Sequence, residues 1–410
     1  MKNLVILGAG TAGTMVANRM VRSLDERAWR VTVVDPEVTH LYQPGLLFLP
    51  FGNREEGELV RPRGRTLDPR VVWRTNAVWA VDTAARTVTL DDDSAVAYDL
   101  LVIATGSSIR PDLTEGMLGD GWQRSVFDFY TLDGAVKLRE ALGNFSGGRL
   151  LINIVEMPIK CPVAPLEFAF LADAFFKERG VRSGVEITFA TPLDGAFTRP
   201  IASQRLGHLL EEKGIKVERE FACGQVDGTA GKLTSFDGRS LDFDLLVTVP
   251  THSGAEFATR SGLGNELGFI PTEKHSLAAK GLERVFVIGD ATDVPASKAG
   301  SVAHFEAETL VENLERAVAG KALLDTFDGH ANCFVETGDG KALLIDFNYD
   351  TEPLPGTYPI PGVGPFSLLE ESRVNHQGKL AFRWIYWNGL LPGKPIPVPA
   401  HMSMLGKHQP

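Results

Sequence analysis

Leu4-Val5-Ile6-Leu7-Gly8-Ala9-Gly10-Thr11-Ala12-Gly13 is the stretch on which the fold turns. Four consecutive apolar residues read as a buried parallel strand, and the glycines that follow have GxGxxG spacing. Thr14 to about Ser23 then has a helical pattern, Trp29 to Val34 reads as a second strand, and Asp35 stands at its end. Strand, glycine turn, helix, strand and acid are all in register, so the reading rests on a whole βαβ unit. Gly8 permits the tight turn, Gly10 lets the backbone approach a pyrophosphate, and Gly13 lets the helix pack on the strand. The helix N-terminus offers free N–H groups to phosphates, and Asp35 is placed to accept hydrogen bonds from ribose hydroxyls.

A second unit of the same kind is expected further along. Arg149 to Val155 reads as its first strand, Pro165 to about Arg179 as its helix, and Val185 to Ala190 as its second strand. The turn between, Glu156-Met157-Pro158-Ile159-Lys160-Cys161-Pro162, contains no glycine. Without glycine the backbone cannot approach a pyrophosphate closely, and Glu156 would repel one. The second strand also lacks a terminal acid, since it runs Ile187-Thr188-Phe189-Ala190-Thr191. The Rossmann architecture is kept while its nicotinamide nucleotide is lost. A cysteine takes the place of the glycines. Cys161 lies past a parallel strand and near a helix start, where the helix N-terminus and neighbouring Lys160 are expected to favour thiolate.

Composition narrows the class. The chain has 410 residues and a formal net charge of −11, which argues against a nucleic-acid partner. No apolar run is long enough to span a bilayer. Met1-Lys2-Asn3 leads straight into the first strand without a cleavage site, so synthesis in the cytoplasm is expected. Three cysteines, Cys161, Cys223 and Cys333, are too few for a disulfide scaffold, and their spacing does not suggest a metal site. Cys223 is expected to be buried. After Glu371 there is no further acid, while Arg373, Lys379, Arg383, Lys394 and Lys407 all follow, interleaved with Phe382, Trp384, Tyr386 and Trp387. That pattern predicts a helix at a membrane surface, with aromatics at headgroup level and cations toward anionic lipid. Pro392 to Pro399 is expected to be extended.

Two further strand ends identify the nucleotide. Tyr98 to Gly106 ends in Ala104-Thr105-Gly106, and Val285 to Asp290 ends in Gly289-Asp290. With the N-terminal fingerprint these resemble the three FAD signatures of disulfide-reductase-like flavoproteins. The resemblance implies that Asp290 meets the ribityl chain. The expected cofactor set is Gly8, Gly10, Gly13, Asp35, Pro44, Ala104, Thr105, Gly106, Gly289, Asp290 and Lys298.

Lys160-Cys161-Pro162-Val163-Ala164-Pro165-Leu166-Glu167 is similar to the Cys-Pro-x-Ala-Pro-x-Glu stretch of sulfide:quinone oxidoreductases, and Asn332-Cys333-Phe334-Val335-Glu336-Thr337-Gly338 to their C-terminal cysteine segment. The resemblance covers nearly the whole chain. It implies that Cys161 and Cys333 form a redox pair beside the flavin, that Glu167 relays protons, and that Lys298 lies near the flavin. Sulfide would attack one sulfur and leave a persulfide, and the other would pass two electrons through FAD to a membrane quinone. Phe334, Lys379 and Phe382 would flank that quinone. The implied enzyme is a peripheral protein of the cytoplasmic membrane, with its face and any self-association left open. This chain departs from the family pattern in having no third cysteine between residues 107 and 160, and no obvious family histidines before Cys161, as in a divergent subtype. A type II NADH:quinone oxidoreductase, a flavocytochrome c sulfide dehydrogenase-like subunit and a non-catalytic flavin redox sensor are the alternatives. The expected division is FAD-binding parts at 1–110 and 251–325, a second Rossmann-like part at 111–250, and a cysteine, quinone and membrane region at 326–410.

Overall fold

The computed structural model describes residues 1–396 and 398–408. Two parallel five-stranded sheets carry the fold, and they have the same layout. In the first, the order is Val285–Val287, Leu100–Ile103, Lys2–Leu7, Trp29–Val34, Val72–Arg74. In the second it is Val126–Phe127, Leu245–Val249, Gly148–Ile154, Val185–Ala190, Lys216–Glu218. The strands of the two βαβ units named from the sequence fall at the centre of each sheet, with Leu100–Ile103 next to the first pair and Val285–Val287 at that sheet's edge. Leu4 to Leu7 and Leu100 to Ile103 are at most 2% exposed, as continuous apolar runs covered on both faces should be.

Packing at the first turn explains two of its glycines without any ligand. Gly8 has φ +93°, and a Cβ on Gly13 would lie 2.0 Å from the Gly8 carbonyl oxygen. The helix Thr11–Ser23 can therefore approach the strand only with glycine at position 13.

A third, mixed sheet closes the molecule, in the order Ala331–Gly338, Lys341–Phe347, Gly364–Leu368, Gly356–Ile360. Helix Ala164–Glu178 packs between this sheet and the second parallel sheet. It is accordingly apolar on most sides, with Phe168, Phe170 and Phe176 fully buried. Its buried acids are held by specific partners: Asp173 by Lys177 at 2.6 Å and Arg182 at 2.7 Å, and Glu167 by groups described below.

The last helix, Arg373–Ile385, lies across the third sheet and runs into a π-helical segment, Tyr386–Leu390. Here the expected membrane face needs correcting. Tyr386 and Trp387 are 0% and 6% exposed, packed against His40 and Tyr42 of the first half rather than facing outward. Three of the tail's cations are committed to protein carboxylates: Lys379 to Glu167, Arg383 to Glu58 and Lys407 to Asp346. An acid-free segment is thus partly explained by acids elsewhere in the chain that need partners. Trp384, 70% exposed, still faces outward, and Ile360, Val363 and Leu405 are also more than half exposed. No helix among the described residues is long and apolar enough to cross a membrane. The described residues of the 392–399 stretch carry no helix, and Pro397 lies outside them.

Candidate functional site

The parallel strands deliver their C-terminal ends to a cavity of about 420 Å³. One end is lined by Asp35 and Glu37, the middle by Gly8, Gly10, Thr11, Gly106, Gly289, Asp290 and Gly300, and the other end by Lys160, Cys161, Glu167 and Lys379. Of the expected cofactor set, Gly8, Gly10, Asp35, Pro44, Ala104, Thr105, Gly106, Gly289, Asp290 and Lys298 all line it. Gly13 sits one layer behind, in the helix–strand contact.

An FAD fits this lining. A Cβ on Gly10, Gly106 or Gly300 would meet no protein atom within 4 Å, so these glycines leave open space in the cavity wall. Helices Thr11–Ser23 and Gly300–Val318 both begin at the cavity, and neither has a side chain capping its first turn. Their free N–H groups suit a diphosphate. The adenosine end differs in detail from expectation. Asp35 is occupied, accepting from the Ala9 N–H at 2.6 Å and the Glu37 N–H at 2.8 Å, with Arg63 at 3.5 Å. It therefore fixes the glycine loop, and Glu37 presents the carboxylate that is free of hydrogen bonds among the described residues. Lys298 donates to the Asp290 and Thr292 carbonyls at 3.0 and 2.7 Å, so it props the Gly289-Asp290 turn from within the wall.

Glu306 supports that turn from behind, accepting from the Gly289 N–H at 2.6 Å. Burial pushes its carboxyl up to about 7, against the pull of that hydrogen bond and of Lys298. Because the folded pKa exceeds the unfolded one, ionising Glu306 costs stability, and the loss develops as pH rises from about 4.5 through 7. Glu306→Gln keeps an acceptor without the charge. Thermal unfolding of the flavin-loaded protein should show the variant gaining over the wild type from pH 5 to pH 8, by up to about 3 kcal/mol at the upper end. An equal difference at both pH values would show that Glu306 does not titrate in this range.

At the far end, the glycine-free turn folds onto the first half. The Cys161 N–H donates to the Lys298 carbonyl at 2.6 Å, and the Cys161 carbonyl accepts from Ala164 at 2.8 Å, opening the next helix. These bonds hold Cys161 at φ +46°, a left-handed conformation unfavourable for a side chain with a Cβ. Strand Ala331–Gly338 brings Cys333 to the same place. Both cysteines are free and partly exposed, while Cys223 is buried at 3%.

The two thiols titrate as a unit. Cys161 is pushed well above the ordinary thiol range, chiefly by its hydrogen bond with Cys333 and then by burial. Cys333 is held below its ordinary value by the same hydrogen bond, assisted by Lys379. The thiolate expected at Cys161 is thus shared with Cys333 through the hydrogen bond between the two sulfurs. The cation acting on the pair is also different: the field of Lys160 falls on Asp290, Asp128 and His252.

Lys379 reaches the pair around a free sheet edge. Ala331–Gly338 is an edge strand, so its Phe334 carbonyl and Glu336 N–H lack strand partners on one side. Lys379 Nζ donates to the Phe334 carbonyl at 2.8 Å and to Glu167 Oε1 at 2.7 Å, and that same Oε1 accepts from the Glu336 N–H at 2.8 Å. Glu167 is fully buried, and its Oε2 has no partner among the described residues. A carboxylate with one satisfied and one open oxygen, lining the cavity beside two thiols, is equipped to hold a proton there. Phe334 lies edge-on to Phe366 across Gly378, where a Cβ would come within 2.6 Å of the Phe334 ring. Phe382 follows Lys379 by one helical turn and is half-buried.

A model for pyridine nucleotide-disulphide oxidoreductases matches residues 2–152. The mitochondrial sulfide:quinone oxidoreductase of Mus musculus is 24% identical over 397 residues, covering 95% of this chain and 86% of the mouse protein. That of Schizosaccharomyces pombe is 25% identical over 423 residues, covering 94% and 89%. The X-ray structure of the Aquifex aeolicus sulfide:quinone oxidoreductase superposes with a TM-score of 0.80 at 18% identity, over 96% of this chain and 92% of that one. The chain is similar to the sulfide:quinone oxidoreductases over nearly its whole length. Its likeness to them runs through the third sheet and the last helix, beyond the part shared with the wider disulphide-oxidoreductase family.

Several residues of the cavity escaped sequence reasoning. Tyr386 reaches back from the last segment to bond Thr11 of the glycine loop at 2.8 Å and His40 at 2.6 Å. Tyr130 lines the cavity next to Cys161, with its hydroxyl 3.4 Å from the Cys161 carbonyl. Neither sits in a motif, and only the tertiary fold joins them to the site. Glu37 had a signal, an acid two residues past Asp35, but the nearer acid masked it.

Proposed function

We propose that this chain is an FAD-dependent sulfide:quinone oxidoreductase acting at a membrane surface. The observation that carries the reading is the meeting of Cys161, from the turn after the second sheet's central strand, and Cys333, from the third sheet's edge strand, at the end of the flavin cavity with Lys379 and Glu167 beside them. Bound FAD would supply a two-electron acceptor and donor, held by the glycine loop, the Gly289-Asp290 turn and Lys298. The chain's own residues do the sulfur chemistry. Hydrosulfide attacks one sulfur of the oxidised pair, the S–S bond breaks, the attacked cysteine becomes a persulfide and the other leaves as thiolate. Lys379 stabilises that thiolate, and Glu167 accepts or returns the proton at its open oxygen. Phe334, Phe382 and Lys379 would flank the quinone that takes the electrons. Trp384 and the exposed apolar residues of the third sheet would meet lipid. In this reading the chain divides into four parts by task, with the second Rossmann-like part serving to present Cys161.

The test is anaerobic. Sulfide added to the flavin-loaded protein should bleach the flavin band, a soluble quinone should restore it, and NADH should do nothing. Bleaching by NADH and not by sulfide would replace this reading with an NADH:quinone oxidoreductase.

A further inference from the structure

The third sheet and the last helix that crosses it carry a titratable pair that the sulfur chemistry does not use. Glu336 follows Cys333 and Phe334 on one strand, and its side chain is 1% exposed. His376, one turn before Lys379 on the last helix, holds it through Nδ1 at 2.9 and 3.0 Å. The His376 side chain is 21% exposed, so the pair runs from the interior to solvent. On its inner side Glu336 shares a neighbourhood with Glu167, which accepts the Glu336 N–H, and with Lys379, whose ammonium bonds Glu167. The groups facing the Glu336 carboxylate are thus His376 and Lys379 from the last helix and Glu167 from helix Ala164–Glu178.

We propose that Glu336 and His376 are a proton relay joining Glu167, at the end of the flavin cavity, to solvent. The inference rests on the function proposed above, whose proton balance requires such a route. Oxidation of hydrosulfide to the sulfur oxidation state of a persulfide releases two electrons and one proton. Reduction of a quinone to its quinol takes two electrons and two protons, so one proton enters from water in each turnover. Glu167 is fully buried and Lys379 is 12% exposed, whereas His376 opens outward on the same helix face. Burial also pushes the Glu336 carboxyl up to about 6, against the fields of Lys379 and His376, which suits a group that gains and loses a proton near neutrality.

The experiment uses flavin-loaded wild type, His376→Ala, His376→Gln and Glu336→Gln, with flavin absorbance followed in two stages. Reduction by sulfide is timed first, and reoxidation by a short-chain ubiquinone analogue second. The relay predicts that His376→Ala slows the quinone stage by about tenfold or more at pH 8, and slows it more than the sulfide stage. Added imidazole should restore much of that rate in His376→Ala, and Glu336→Gln should lower it without imidazole rescue. Wild-type quinone-stage rates in His376→Ala would overturn the relay, as would a slowing that imidazole leaves unchanged. Failure of sulfide to bleach the wild type is a different result: it removes the proposed function itself, and the relay with it.

Discussion

Replacing Cys333 by serine will abolish the bleaching of the bound flavin by sulfide, with a loss of at least about 1000-fold in the rate of that stage. Serine keeps the size of the side chain and forms no disulfide, so attack by hydrosulfide has no sulfur to displace. Cys161→Ser should fail equally, because the two residues act as one unit and removal of either ends the exchange. Neither change should empty the flavin cavity: Cys161 alone lines it, and only at its far end, while the glycine loop and the Gly289-Asp290 turn stay intact. The measurement is therefore a comparison of flavin content and bleaching rate in the same preparation. Cys223→Ser is the control. That residue is 3% exposed and packs in the core beside the second sheet, so its replacement should leave bleaching unaltered. Full bleaching by sulfide in Cys333→Ser would remove the cysteine pair from the reaction and leave only the fold in common with the flavoprotein relatives.

Much of this site could be read from sequence because its parts are local. A glycine turn between a strand and a helix is a continuous segment with its own geometry, and both Gly8 and Gly13 are required by contacts within one βαβ unit. The absence of glycine in the turn at Glu156 to Pro162 was legible for the same reason. What was not legible depends on contacts distant in sequence. Trp387 and Tyr386 have the character of interfacial aromatics in any local window, yet they are covered by His40 and Tyr42. The effect of a neighbouring lysine on Cys161 could be guessed only from Lys160, the adjacent residue. The cation that reaches the sulfurs is on another helix, placed there by the free edge of the Ala331–Gly338 strand. Electrostatics at a buried site are set by whatever the fold brings within a few ångströms, and sequence adjacency is a poor guide to that.

Lys379 is accordingly a position where a single substitution should be costly to the fold. Its ammonium is one of two donors to Glu167 Oε1, and Glu167 is fully buried. Lys379→Met preserves the length and apolar stem of the side chain while removing the charge. It leaves a buried carboxylate with the Glu336 N–H as its partner and two thiols without their cation. Breaking one side of a buried ion pair costs about 3–5 kcal/mol, because the remaining charge is uncompensated. The ammonium's pKa is raised by Glu167 and the two cysteines against the effect of burial, so the contribution is fully present below about pH 10. Denaturant unfolding of the flavin-loaded protein should therefore show the loss at pH 6 and at pH 8 alike. Glu167→Gln added to Lys379→Met should recover most of it, since a neutral pair carries no buried charge to compensate. Sulfide bleaching should not recover with it, because the thiolate still lacks its cation. A Lys379→Met protein as stable as the wild type would mean that the ion pair does not hold this corner. Recovery of both stability and bleaching in the double variant would mean that Lys379 serves only to neutralise Glu167, and that the sulfurs do not need it.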